Sequence, residues 1–205
     1  MNKTSCAGII LAGGLNRRLE GQNKALLPVG DQPILDRLVT LLRQFFNQII
    51  VVTNQPLAYV SYDVTIVTDL LPIRSSLTGI HAGLFHAHAP HAFLCACDMP
   101  FLKKELVEVL MQAFEPRWDV IVPITREGYQ PLCAIYSNRC LHPIEEQLKK
   151  QELKISRLYA GVKVKTIPEE KLRQVDPELV SFFNINTPDD LALLGIVSEQ
   201  NPREK

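Results

Sequence analysis

The residues best equipped for chemistry lie near the N-terminus. The apolar run Ala7-Gly-Ile-Ile-Leu-Ala12 stops at Gly13-Gly14, and Arg17, Arg18 and Lys24 follow within one loop's length. Without Cβ atoms, the paired glycines let the backbone turn tightly and bring its N–H groups close to phosphate oxygens. The three cations can neutralise a triphosphate and the charge that grows as pyrophosphate leaves. The same spacing also fits a glycine turn carrying a solvated basic loop. No Gly-Lys-Ser/Thr closes the stretch, so it is not a P-loop. Its third glycine is misplaced for a dinucleotide fingerprint, and no helix starts promptly.

Asp98 is the second centre of interest. It ends the hydrophobic run His91-Ala-Phe-Leu-Cys-Ala-Cys97, and Met99-Pro100 stops any continuation. A carboxylate there suits Mg²⁺, which takes one or two protein carboxylates together with phosphate oxygens and waters. Asp98 also reads as a helix-capping residue, since Pro100 and Lys103-Lys104-Glu105 can begin a helix. Asn54 and Asp69 follow two further apolar runs. An amide offers both donor and acceptor to a ribose or base edge, although either residue also fits a simple turn.

These positions matter only if the elements bearing them converge. Ala7–Ala12, Gln48–Thr53, Val64–Val67 and His91–Cys97 read as buried strands. Asp119–Pro123 and Gln130–Tyr136 read as two more, and Val162–Ile167 alternates like a half-exposed strand. Helices are predicted over Ile34–Phe46, Thr78–Ala89, Lys103–Phe114 and Leu141–Lys150. A last helix should start after Thr187, where Thr caps, Pro188 suits the first position and Asp189-Asp190 favour the first turn. Alternating strands and helices predict an α/β fold: a mostly parallel, doubly wound, Rossmann-like sheet with helices on both faces. Ligands of such sheets bind beyond the carboxyl ends of the strands, where Gly13-Gly14, Asn54, Asp69 and Asp98 would meet.

Other features carry less. His81, His86, His88 and His91 crowd one helix and its exit without a carboxylate or cysteine at metal spacing, so they read as packing or surface residues. Cys95 and Cys97 point the same way from one strand and lack the Cys-x-x-Cys spacing of a redox pair. Lys163 and Lys165 share one side of a strand; they read as a solvated face that can also reach an acceptor phosphate.

With 205 residues, the chain suits one domain, expected over 1–197 with a polar tail at 198–205. Its 22 basic and 22 acidic residues cancel, so no net field argues for nucleic acid or a membrane surface. Five scattered cysteines make no disulfide framework and suit a reducing cytosol, and the early apolar run is too short to span a membrane. A cytoplasmic location is therefore expected.

The N-terminal stretch resembles the signature of the nucleotidyltransferases that attach a nucleotide to molybdopterin, and most closely the molybdenum cofactor guanylyltransferase family. That family's pattern is Leu-Ala-Gly-Gly, two positions, Arg-Arg-Met-Gly, then Asp-Lys-Ala-Leu-Leu, and later Gly-x-Pro-Leu/Ile. Here stand Leu11-Ala-Gly-Gly14, Arg17-Arg18, Lys24-Ala-Leu-Leu27 and Asp31-Gln-Pro-Ile34. The likeness continues in order through Ser76-Leu-Thr-Gly-Ile80, Cys97-Asp-Met-Pro100, Tyr129-Gln-Pro-Leu-Cys-Ala-Ile-Tyr136 and Asn184-Ile-Asn-Thr-Pro-Asp-Asp-Leu191. Departures are Leu19-Glu20 for Met-Gly, Asn23 for Asp, and Ser75-Ser76 for Gly-Pro.

The resemblance implies the nucleotide-diphospho-sugar-transferase type of sheet and transfer of GMP from GTP to molybdopterin, with Mg²⁺ as cofactor. It assigns catalysis to Arg18, Lys24 and Asp98, the metal to Asp98, and the nucleotide to Leu11, Ala12, Gly13, Gly14, Lys24, Asn54, Asp69 and Asp98. Asn184 and Asn186 fall on the acceptor side. Other cofactor-biosynthesis proteins or recipient molybdoenzymes are the partners it implies. The competing readings are a cytidylyltransferase for the same cofactor, a nucleotidyltransferase for a sugar phosphate, and a non-catalytic nucleotide- or pterin-binding accessory protein.

Overall fold

A computed structural model describes residues 6–13, 23–185 and 190. Its first strand, β1 (Ala7–Leu11), lies between two parallel partners, β4 (Ile49–Val52) and β6 (His91–Ala96). Both faces of a central parallel strand are covered, which is why these three segments are continuous apolar runs. Between β1 and β4 come a short hairpin, β2 (Pro28–Val29) with β3 (Gln32–Pro33), and helix α1 (Ile34–Leu42). Beyond β4 the sheet continues to β5 (Thr65–Val67), also parallel.

The other half departs from a purely parallel plan. β7 (Val120–Thr125) turns back at Gly128, whose φ is +112°, into β8 (Gly128–Tyr129). The chain therefore re-enters the sheet as β9 (Cys133–Ser137), antiparallel between β6 and β7. Gln130, expected on that strand, instead lies in the connection. The half-exposed edge strand β10 (Val164–Pro168) pairs in parallel with β7. Among the described residues the order is β10-β7-β9-β6-β1-β4-β5, with β8 attached to β7.

Two apolar cores result, one on each face. Ile10, Val51, Phe93 and Cys95 meet Leu35, Leu38 and Leu42 of α1 and Leu106 and Leu110 of α3 (Lys104–Gln112). On the opposite face, Ile9, Ile50, Val52 and Leu94 meet Leu77, Ile80 and Leu84 of α2 (Ser76–His86) and Ile144 and Leu148 of α4 (Leu141–Lys149). The helix α2 starts earlier than expected because the Ser75 hydroxyl accepts from the Thr78 N–H at 3.1 Å. A short α5 (Glu169–Arg173) follows β10. No helix among the described residues is long and apolar enough to cross a membrane.

Helix α2 approaches β1 so closely that a Cβ on Gly83 would stand 2.8 Å from Ile9 Cγ2, an atom branching directly from Cβ. Gly83→Ala is expected to lower unfolding stability in urea by about 1–3 kcal/mol from overpacking, despite the better helix propensity of alanine. An unchanged urea midpoint would show that α2 can shift without cost.

Candidate functional site

Strand register assembles the site. Leu11 pairs with Val52 on one side and Ala96 on the other, and Val52 pairs with Val67. Gly13, Asn54, Asp98 and Asp69 each stand two residues beyond one of these, so they form a row along the carboxyl edge. With neighbouring strands about 4.8 Å apart, the backbones at Asn54 and Asp98 lie roughly 10 Å apart with Gly13 between them. Backbone bonds hold the row: Ala12 N–H donates to Val52 O at 2.8 Å, Cys97 N–H to Leu11 O at 2.9 Å, and Thr53 N–H to Val67 O at 2.9 Å. A Cβ on Gly13 would meet Thr53 Cα at 3.7 Å and Asn54 Nδ2 at 3.8 Å. These are ordinary contacts, so packing among the described residues does not demand glycine there.

On the β5 side, Asn54 Nδ2 donates to Asp69 Oδ2 at 2.7 Å. This bond leaves the Asn54 carbonyl and the other Asp69 oxygen as acceptors for a sugar or base edge.

On the β6 side, Lys24 rises from a short 3₁₀ turn, Lys24–Leu26. Its ammonium donates to Ile185 O at 2.6 Å and lies 3.9 Å from Asp98 Oδ2. Ile185 N–H in turn donates to Asp98 O at 3.0 Å. The Lys24 turn, the end of β6 and the segment around Ile185 are thus joined at one point. Asp98 Oδ1 is buried and has no hydrogen-bond partner among the described residues. Burial raises the Asp98 pKa above its ordinary value, and the Lys24 charge opposes that rise. A shielded carboxylate with an unused oxygen fits the oxygen-ligand preference of a hard cation, which Asp98 would hold.

The segment before Ile185 has its own brace. Fully buried Asp176 accepts from Ser181 N–H at 2.9 Å through Oδ2, and the Lys103 ammonium stands 2.9 Å from Oδ1, off the line of a hydrogen bond. Ser181 Oγ accepts from Lys103 N–H. Asn184 does not join Asp98 and Lys24. It is exposed and lines an adjoining groove of about 1290 Å³ with Phe101, Thr125, Gln130 and Phe183.

Gly14, Arg17, Arg18 and Asn186 lie outside the described residues, as does the start of the helix expected after Thr187. Lys165 reaches no phosphate site. It pairs with Glu115 Oε1 at 2.6 Å and donates to Ala113 O just beyond the C-terminus of α3, at the opposite end of the sheet. His81 Nε2 lies 3.0 Å from Glu145 Oε1 between α2 and α4, and no histidine, cysteine and acidic cluster suited to a metal occurs among the described residues. Sequence reasoning missed the Ile185 carbonyl, because a main-chain acceptor leaves no trace in residue type. It also missed Tyr59, whose hydroxyl bonds Asn23 Oδ1 at 2.9 Å; a tyrosine among apolar neighbours looks like any core residue.

A mostly parallel sheet that brings Gly13, Lys24 and Asp98 to its carboxyl edge fits a nucleotidyltransferase of the α/β class. The chain belongs to the MobA-like NTP transferase domain family, whose pattern matches residues 8–166. It is 44% identical to a molybdenum cofactor guanylyltransferase of Desulfosudis oleivorans over 90% of this chain and 91% of that one. A probable molybdenum cofactor guanylyltransferase of Pelotomaculum thermopropionicum is 38% identical over 95% and 94%. Among solved structures, molybdopterin-guanine dinucleotide biosynthesis protein A from Archaeoglobus fulgidus aligns with a TM-score of 0.82 at 30% identity, covering 95% of this chain and 99% of that one.

Proposed function

We propose that this protein transfers GMP from GTP to the phosphate of molybdopterin, releasing pyrophosphate and forming the guanine dinucleotide cofactor. The observation that carries the reaction class is the Lys24 ammonium 3.9 Å from an Asp98 carboxylate whose second oxygen is buried and unpartnered. Guanine and molybdopterin are supported by the names of the relatives.

The backbone from Leu11 to Gly14 receives the base and phosphates, and the small Gly13 lets a ligand approach closely. Asn54 and Asp69 take the ribose or base edge. Lys24 and Arg18 bind the triphosphate and stabilise the charge developing on the leaving pyrophosphate. Asp98 is the residue that would hold Mg²⁺, which when bound neutralises phosphate charge. Asn184 and Asn186 stand on the acceptor side. An acceptor phosphate oxygen attacks the α-phosphorus, the bond from that phosphorus to the β-phosphate oxygen breaks, and pyrophosphate departs. No protein nucleophile is needed, because positioning and charge neutralisation carry such transfers. In this reading residues 1–197 form one cytoplasmic domain, 198–205 a tail, and recipient molybdoenzymes the downstream partners.

Pyrophosphate release should be measured with molybdopterin, Mg²⁺ and each of GTP, CTP, ATP and UTP. The expected result is release with GTP alone, abolished by EDTA. Preference for CTP would make the protein a cytidylyltransferase. Nucleotide binding without pyrophosphate from any NTP would overturn the enzymatic reading.

A further inference from the structure

The Lys24 turn is tethered to an element that the reaction itself does not use. Asn23 Oδ1 accepts from Ala25 N–H at 3.2 Å, capping the 3₁₀ turn that carries Lys24. The same oxygen lies 2.9 Å from the hydroxyl of Tyr59. Because Ala25 N–H can only donate, the shared Asn23 atom is the oxygen, and Tyr59 must be the donor. Tyr59 is fully buried at the end of the 3₁₀ turn Pro56–Tyr59, which follows directly on Asn54 and Gln55. Burial raises its pKa, so it stays a protonated donor at neutral pH. A continuous polar path therefore runs Tyr59, Asn23, Ala25 N–H, ending one residue from Lys24.

We propose that Tyr59 and Asn23 are positioning residues, which lock the Lys24 turn to the exit of β4 and so hold the Lys24 ammonium against Asp98. The consequence for catalysis rests on the guanylyl-transfer reading above; the consequence for Lys24 placement does not. Asn23 stands where the resembling family carries aspartate. Both side chains supply the acceptor oxygen that Ala25 N–H and Tyr59 require, so Asn23→Asp keeps the tether and Asn23→Ala removes it. Tyr59→Phe deletes only the hydroxyl and leaves no cavity.

Two readouts on the full chain separate the layers. Competitive acetylation with acetic anhydride, read by mass spectrometry against exposed Lys171, reports Lys24 placement without turnover. Lys24 labelling is expected to rise about threefold in Tyr59→Phe and Asn23→Ala, with Asn23→Asp at the wild-type level, because local opening frees the ammonium. Turnover with saturating GTP is expected to fall about fivefold in the same two variants while GTP affinity changes little, since misplacing Lys24 harms the transition state more than the ground state. The double variant should lose no more than Asn23→Ala, because Tyr59 acts through Asn23. Unchanged Lys24 labelling in both single variants overturns the proposal, and so does a rise shared equally by Lys171. Altered Lys24 labelling in a protein that turns over no NTP supports the tether and sinks the guanylyl-transfer reading.

Discussion

Asp98→Asn is expected to lower kcat/KM for pyrophosphate release roughly 10²–10³-fold, the usual scale for losing one preorganised charged contact to a transferring phosphate. The protein should nonetheless be at least as stable as the parent. Burial raises the Asp98 pKa above its ordinary value, with Lys24 only partly opposing the shift. Only at pH values between the unfolded and native pKa does the native state hold a proton that the unfolded state has already released. Stability from this group is full below the ordinary carboxylate range and is lost as pH rises through the raised native value. Asparagine has no such dependence, so its Tm advantage should grow from pH 4 towards neutrality. Thermal scans across that range, beside the pyrophosphate assay, provide the check. Full activity in Asp98→Asn would remove the carboxylate from the reaction, and a Tm advantage that shrank with rising pH would contradict its burial as the dominant influence.

Lys24→Ala should cost about the same in rate, roughly 10²–10³-fold, because it removes the cation aimed at the triphosphate. Its effect on stability should have the opposite sign. The Asp98 carboxylate would lose the Lys24 counter-charge that opposes its burial, and an uncompensated buried charge is destabilising. The Ile185 carbonyl would also lose the donor that reaches it at 2.6 Å. Lys24→Ala should therefore melt below the parent at neutral pH, and adding Asp98→Asn should recover much of the loss. Such non-additivity is the mark of two groups in direct contact. Additive Tm changes would mean that the two side chains do not interact in solution, and parental turnover by Lys24→Ala would overturn its assigned role.

Much of the architecture is legible in residue order. The runs at Ala7, Ile49 and His91 are strands because parallel strands covered on both faces must be apolar throughout. The spacing of Ile34, Leu35, Leu38 and Leu42 gives α1 one buried face. The antiparallel β9 was not legible: its apolar residues suit either direction, and the choice rests on the tight turn at Gly128 between β7 and β8. Helix ends shifted for similarly local reasons, such as the Ser75 cap.

The candidate site divides along the same line. Gly13, Asn54, Asp69 and Asp98 are visible because each is a polar or small residue stopping an apolar run, and strand ends are where such sheets bind ligands. Their alignment at one level depends on register, which only the pairing of Leu11 with Val52 and Ala96 settles. The contact of Lys24 with Ile185 joins residues 161 positions apart through a backbone oxygen. The bond between Tyr59 and Asn23 joins a core ring to a loop amide. Residue types along the chain record what each segment buries. They do not record which distant main-chain atom or hydroxyl it meets, because that geometry exists only once the two cores have packed against the sheet.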